Sequence, residues 1–464
     1  MGKRILVALV ASALALCTAP ISASAAVTTQ TGTLSDGATF KIEVPNNWNG
    51  TLLLYSHGYV VPGSSNPAQD VGDPITRGFL LNAGYALAGS SYATTGWALE
   101  QAIPDQISTL DMFDSLVGTP SRTIAWGHSL GGIITAGLLQ TNPNRFDGGL
   151  PMCGVVAGGV GVWNEGLDAE FVIKELLAPT SSLQLVNVTY PALTNLGLGE
   201  TILGHAQATA QGRARIALAA AVGDLPGWFS PVTSEPASTD FATQEANQFA
   251  WITQVDGPFL FWLRGEMEAR AGGNPSWNTG VNYARQLANS IDNAEVQALY
   301  QQAGLNLNDD LAALAAAPRV SADASAVSYL SDHIVFNGDL SGKPVLTIHT
   351  TGDGLVLNSD EQAYRSVAQD AKDSQLLRQA FVHRAGHCTF SPAETVAALQ
   401  ALVTRLDTGK WTGLADPANL EAAAAAMGPS MNVIFVNSQL VPAGPSYASF
   451  EPAQFLRPFD LGGH

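Results

Sequence analysis

Short apolar runs of strand character alternate with helix-length stretches over the first third of the chain, and this alternation restricts the fold more than any other feature. Residues 39–44 and 51–56 read as strands joined through the turn Asn46-Asn47-Trp48-Asn49-Gly50. A small apolar strand at 85–89 follows. Residues 107–117 then carry apolar side chains at helical spacing: Ile107, Leu110, Phe113, Leu116 and Val117. A strand at 123–126, a helix over 130–140 closed by Asn142-Pro143, and a strand at 149–155 complete the series. Parallel neighbours need a helical crossover, so strands alternating with helices predict an α/β fold with a mostly parallel sheet.

The alternation stops between 159 and 335, where the pattern is helical, with candidates at 172–177, 206–222, 241–267, 281–303 and 311–316. It resumes with a strand at 344–350, a helix at 361–371, a strand at 376–382 and a helix at 393–406. Beyond Trp411 lie an Ala-rich helix, 420–427, and a strand candidate, 433–436, whose placement the pattern leaves open. For 464 residues, length alone suggests two or three domains. The pattern instead divides the chain into a core at 26–158 and 336–410, a helical insertion at 159–335 and an extension at 411–464.

The first 25 residues read as a secretory signal peptide. Lys3 and Arg4 precede an apolar stretch, 5–20, and Ala23-Ser24-Ala25 fits a cleavage site. A membrane anchor is the competing reading, but the run is short and ends at Pro20. Bulky Leu16 before Cys17 disfavours lipidation, and no later segment reads as a 20-residue apolar helix. The expectation is a secreted protein with no stable membrane anchor. Cleavage would leave 19 basic against 39 acidic side chains, and even the full chain carries a net charge of −18. So acidic a surface repels phosphate backbones, which excludes nucleic acid as an expected partner. With 46% hydrophobic and 13% charged residues, the chain can bury a large core and is not of disordered composition.

Four local motifs carry chemistry. Gly127-His128-Ser129-Leu130-Gly131-Gly132 sits between the expected strand at 123–126 and the helix that follows. A serine on such a strand-to-helix turn is held clear of its neighbours, with helix N–H groups facing it. In Ser56-His57-Gly58-Tyr59, after an apolar strand, the backbone N–H of Tyr59 can face an oxyanion together with that of Leu130, and His57 is structural. Asp353 follows the strand 344–350, with Asp360 as the fallback acid. His387, in Ala385-Gly386-His387-Cys388, follows the strand 376–382, with His383 as the competing base. A neutral imidazole at His387 can take the Ser129 proton, and Asp353 can orient the ring. Taken singly, each motif is also compatible with an ordinary turn. His205, His333 and His349 read as structural groups.

The order Ser129, Asp353, His387, with the His-Gly loop before them, resembles the α/β-hydrolase superfamily over about residues 35–158 and 336–410. The resemblance implies an eight-stranded, mostly parallel sheet, the acid after strand seven, the histidine after strand eight, and a lid in the insertion after strand six. A serine nucleophile is unlike the dehalogenase branch. Cys388, directly after His387, is similar to the His-Cys pair of tannases and feruloyl esterases, in which a disulfide joins that cysteine to one beside the nucleophile. Here His128, not Cys, precedes Ser129. Cys153, at the active-site end of the next strand, is then the expected partner of Cys388, against the alternative of two buried free thiols.

No HExxH, clustered His/Cys spacing, P-loop or dinucleotide fingerprint occurs, so no metal and no cofactor is expected. The insertion holds many aromatic residues: Trp163, Trp228, Phe229, Phe241, Trp251, Phe259, Phe261, Trp262 and Trp277. Most are expected in its own core and some over Ser129, which suits hydrophobic or aromatic acyl groups. The leading expectation is a secreted serine hydrolase acting on small-molecule or polymeric esters. Its rivals are an exopeptidase of the same fold, an acyltransferase, and a catalytically idle binding protein. An exopeptidase would anchor an amine on a carboxylate such as Glu165, Asp168, Glu170 or Glu266, all four of which are otherwise expected as solvated surface charges.

Overall fold

Strands dominate the centre of the molecule because their side chains are buried on both faces. The computed structural model describes residues 26–457; the expected leader lies outside them. The first half of the core runs β1 (Val27–Thr33), β2 (Thr39–Pro45), β3 (Thr51–Ser56), α1 (Pro74–Asn82), β4 (Ala86–Ser90), α2 (Leu99–Leu116), β5 (Arg122–His128), α3 (Leu130–Thr141) and β6 (Gly148–Met152). Every residue of β3, β4 and β6 is buried, the signature of strands covered on both faces. Asp73 caps α1 by accepting from the N–H groups of Ile75 and Thr76, and Pro74 begins the helix where no backbone donor is needed.

The helical insertion follows β6. It contains α4 (Gly158–Leu177), α5 (Thr194–Gln207), α6 (Ala210–Val222), α7 (Phe241–Trp251), α8 (Arg264–Ala271), α9 (Tyr283–Asn289), α10 (Asn293–Ala303), α11 (Leu307–Ala316) and α12 (Ala324–Asp332). These helices have a core of their own, including Phe171, Leu218, Phe261, Tyr283 and Leu299. Two expected helices are interrupted. The stretch 241–267 is α7 and α8 separated by two π-helical segments, Ile252–Asp256 and Phe259–Leu263, flanking Gly257-Pro258; a proline without an N–H cannot continue an α-helical ladder. The stretch 281–303 breaks at Ser290, whose backbone is extended.

The core resumes with β7 (Val345–Gly352), α13 (Ser359–Asp370), β8 (Leu377–Ala385) and α14 (Pro392–Thr408), and the extension adds α15 (Pro417–Ala425), β9 (Val433–Val436), β10 (Gln439–Pro442) and β11 (Tyr447–Ala448). Among the described residues one sheet has nine strands in the order β1-β2-β4-β3-β5-β6-β7-β8-β11. From β4 through β8 all neighbours are parallel. The ninth strand exceeds the expected eight. Tyr447 and Ala448 pair antiparallel with Val382 and Phe381, covering the edge that β8 would otherwise expose. The extension is held by a buried pair. Arg384 donates to both Glu394 oxygens at 2.7 and 2.9 Å and to the Gly444 carbonyl at 2.9 Å, while Ser446 N–H donates to Glu394 at 2.9 Å.

Candidate active site

The turn between β5 and α3 places Ser129 at φ 58° and ψ −123°. A non-glycine residue in this region stores on the order of 1–3 kcal/mol of strain, and the surrounding packing must enforce it. That packing is tight. A Cβ on Gly127 would lie 2.4 Å from the Ser56 carbonyl oxygen, and one on Gly131 only 1.9 Å from the same atom. The end of β3 therefore runs directly against the turn, which requires glycine on both sides of the serine.

The structure brings Ser129, His387 and Asp353 together from three strand ends. His387 Nε2 is 2.8 Å from Ser129 Oγ, and His387 Nδ1 is 2.8 Å from Asp353 Oδ2 and 3.1 Å from Oδ1. With Nδ1–H donating to the carboxylate, Nε2 presents its lone pair to the Ser129 hydroxyl. Asp353 is fully buried and also accepts from the N–H groups of Leu355 (3.0 Å) and Val356 (3.1 Å), which fixes its orientation. Asp353, not Asp360, contacts the ring.

A second buried imidazole lies behind Asp353. His349 Nε2 is 2.8 Å from the Val356 carbonyl and 3.6 Å from Asp353 Oδ2, and its Nδ1 is 3.2 Å from Glu361 Oε1. Burial pulls its pKa down, but the hydrogen bond and charge of Glu361 and the charge of Asp353 outweigh this and raise it to about 9. His349 was expected to be structural. Both of its ring nitrogens are hydrogen-bonded, to Glu361 and to the Val356 carbonyl, beside the acid. Among the described residues no other histidine side chain is hydrogen-bonded to Ser129. His383 is half-exposed, 3.4 Å from Glu235 and against the Trp228 ring. His57 bonds the Gly58 and Ser91 carbonyls and stacks on Tyr92. His128 meets the Tyr55 hydroxyl at 3.1 Å, and burial, helped by the charge of His387, lowers its pKa to about 4.

Cys153 and Cys388 form a disulfide between chain positions 235 residues apart. It ties the loop bearing His387 to the end of β6. Tyr59 and Leu130 line the cavity in front of Ser129. The Tyr59 N–H donates to no group among the described residues, and Leu130 is the first residue of α3, whose N–H precedes the helical ladder.

The cavity walls are mostly apolar and aromatic, with Trp163, Phe259 and Leu260 from the insertion and Trp97 and Tyr59 from the core, and they also include the carboxyls of Glu165 and Asp256. Sequence periodicity did not single out Trp97. Trp251 packs behind the wall, where a Cβ on Gly354 would come within 2.3 Å of its indole. Phe261 lies in the insertion's own core. The expected surface charges require correction. Glu165, Asp168 and Glu170 are buried, because α4 packs against α5, α6, α11 and α12 of the insertion. Asp168 is bonded by Arg457, Tyr283 and Gln286. Glu170 is 3.4 Å from Arg264. Glu266 accepts from the Trp97 N–H and from Arg270. Among the described residues no group of three or more His, Cys, Asp or Glu side chains is arranged to hold a metal, and no helix is long and apolar enough to cross a membrane.

The sheet order, the strand–turn–helix at Ser129 and the helical insertion between β6 and β7 define an α/β-hydrolase fold. No family model matches the chain. It is 29% identical over 435 residues to an o-phthalyl amidase from Xanthobacter agilis, covering 86% of this chain and 92% of that protein. Solved structures similar to it include an esterase from Aspergillus oryzae (15% identity, TM-score 0.42) and feruloyl esterase B from the same organism (16%, TM-score 0.39), each matching 82% of this chain and 80% of the other. The cell-wall-degrading esterase LipA of Xanthomonas oryzae is 14% identical with a TM-score of 0.36, over 82% of this chain and 89% of that one.

Proposed function

We propose that this protein is a secreted serine hydrolase that cleaves carboxylic esters through an acyl-enzyme. The observation that carries the reading is the unbroken chain Ser129 Oγ–His387 Nε2 and His387 Nδ1–Asp353 Oδ2, each 2.8 Å long, at a strained strand-to-helix turn. Ser129 Oγ attacks the carbonyl carbon as its proton passes to His387 Nε2. The backbone N–H groups of Tyr59 and Leu130 receive the oxyanion. His387 then returns the proton to the leaving oxygen, the C–O bond breaks, and water repeats the sequence to free the acid and regenerate Ser129. Asp353 holds the tautomer, and its carboxylate offsets the charge on the ring. The insertion acts as a lid whose aromatic side chains receive a hydrophobic or aromatic acyl group, and the disulfide supports export.

A second reading is favoured by the amidase relative: the same groups cleave a carboxylic amide, with His387 protonating a leaving amine. Assaying matched aryl esters and anilides, first with the wild-type protein and then with Ser129→Ala, tests both. The expected result is a loss of about 10⁴-fold or more in kcat for whichever bond is cleaved. Undiminished hydrolysis by Ser129→Ala would end the proposal.

A further inference from the structure

The cavity in front of Ser129 contains two acids that the hydrolytic machinery does not use. Glu165, on α4, and Asp256, at the end of the first π-helical segment, both line it. They are only 4% and 7% exposed. Glu165 Oε1 and Asp256 Oδ2 are enclosed and have no hydrogen-bond partner, and neither residue's second oxygen is bonded among the described residues. Most buried carboxyls elsewhere in the insertion have a donor: Asp168 has Arg457, and Glu268 has two backbone N–H groups. The same cavity has no Lys or Arg in its lining. Its remaining wall carries the indoles of Trp97 and Trp163, whose ring centroids are 5.5 Å apart.

A buried carboxyl without a donor is costly to maintain, and unpaired acids facing a largely apolar cavity are complementary to a group that brings N–H donors and positive charge. We infer that this cavity recognises a substrate whose acyl group carries an amine, paired as an ammonium with Glu165 and Asp256 while its apolar part lies against the indoles. The inference rests on the hydrolase reading and names its substrate class. Burial raises the pKa of both acids, reinforced at Glu165 by Asp360, Asp224 and Asp168 and at Asp256 by Asp353. An ammonium beside the two carboxyls would favour their ionised form, whereas an entering carboxylate would find no cation among the lining residues.

The test compares three methyl esters with the wild-type protein: phenylalanine methyl ester, methyl 3-phenylpropanoate, and the monomethyl ester of benzylsuccinic acid, which place an ammonium, a hydrogen and a carboxylate on similar frames. We expect kcat/KM to fall in that order, with the ammonium preferred over hydrogen by about tenfold or more. Glu165→Gln and Asp256→Asn should each shrink the ammonium-to-hydrogen ratio. Equal rates, or preference for the carboxylate, would overturn the inference while leaving ester hydrolysis intact. Calorimetry of 2-phenylethylamine with the Ser129→Ala protein reads the same site without turnover. Binding tighter than that of 3-phenylpropanoate, and weakened by Glu165→Gln, supports an amine site in this cavity even if no ester is cleaved, in which case only the ester-hydrolysis reading fails. Absence of amine binding overturns the inference.

Discussion

Removing the Cys153–Cys388 bridge by the double substitution Cys153→Ala/Cys388→Ala should cost both stability and activity. The bridge closes a loop with a sequence separation of 235, which encloses the whole insertion. The chain-entropy relation assigns a loop of that length about 5 kcal/mol as an upper limit, and the observed loss should fall at about 2–5 kcal/mol. Alanine is the appropriate replacement. Both cysteines have positive φ, 43° and 54°, and glycine would relieve that strain and mask part of the loss. Activity should fall too, because Cys388 adjoins His387 and the bridge fixes the loop that delivers its ring; a 1 Å displacement of a reacting group costs on the order of 10²-fold. Urea unfolding with linear extrapolation measures the first effect, and kcat/KM for an aryl ester below the unfolding range measures the second. A stability change under about 1 kcal/mol together with unchanged kcat/KM would refute the view that this bridge braces the site.

Ser129→Gly should abolish hydrolysis while raising the unfolding free energy by about 1 kcal/mol, because glycine accepts the φ of 58° without strain; a destabilised variant would contradict the strain argument. Gly131→Ala should destabilise by about 3 kcal/mol or more, since its Cβ meets the Ser56 carbonyl at 1.9 Å, and thermal melting that matches wild type would show that the turn is looser than described. The pKa of His349 is raised to about 9, so its stabilising contribution is complete below its unfolded value near 6.5 and is lost as pH climbs through 9; His349→Gln should flatten unfolding free energy against pH in that window. Arg384→Met leaves Glu394 buried without its cation and should cost about 3–5 kcal/mol, with the extension becoming susceptible to proteolysis first.

The residues expected to act together are legible in the sequence because each follows a short strand within a few positions. Ser129, Asp353 and His387 lie at the ends of β5, β7 and β8, so parallel pairing alone carries them to one edge of the sheet. Cys153 and Cys388 share that edge, and their pairing is suggested by the resemblance of His387-Cys388 to the His-Cys pair of tannases and feruloyl esterases together with the place of Cys153 at a strand end. The features that escaped depend on contacts between segments remote in sequence. Burial of Glu165, Asp168 and Glu170 follows from packing on both sides of α4, and Asp168 takes its cation from Arg457, 289 positions away. A helical wheel with acids on one side reads as a solvated face until the second layer is known. The strand β11 has two residues and gains its identity only from the edge of β8, which no local propensity reveals. Trp97 reads as an isolated aromatic residue on a loop until the insertion folds against it.

The proposed mechanism is tested most directly by covalent capture of the nucleophile. Incubating the folded protein with a fluorophosphonate and mapping the adduct by peptide mass spectrometry should give one modification per chain, on Ser129, with loss of ester hydrolysis in proportion to labelling. Hydrolysis that persists in fully labelled protein, or an adduct on any residue other than Ser129, would contradict it.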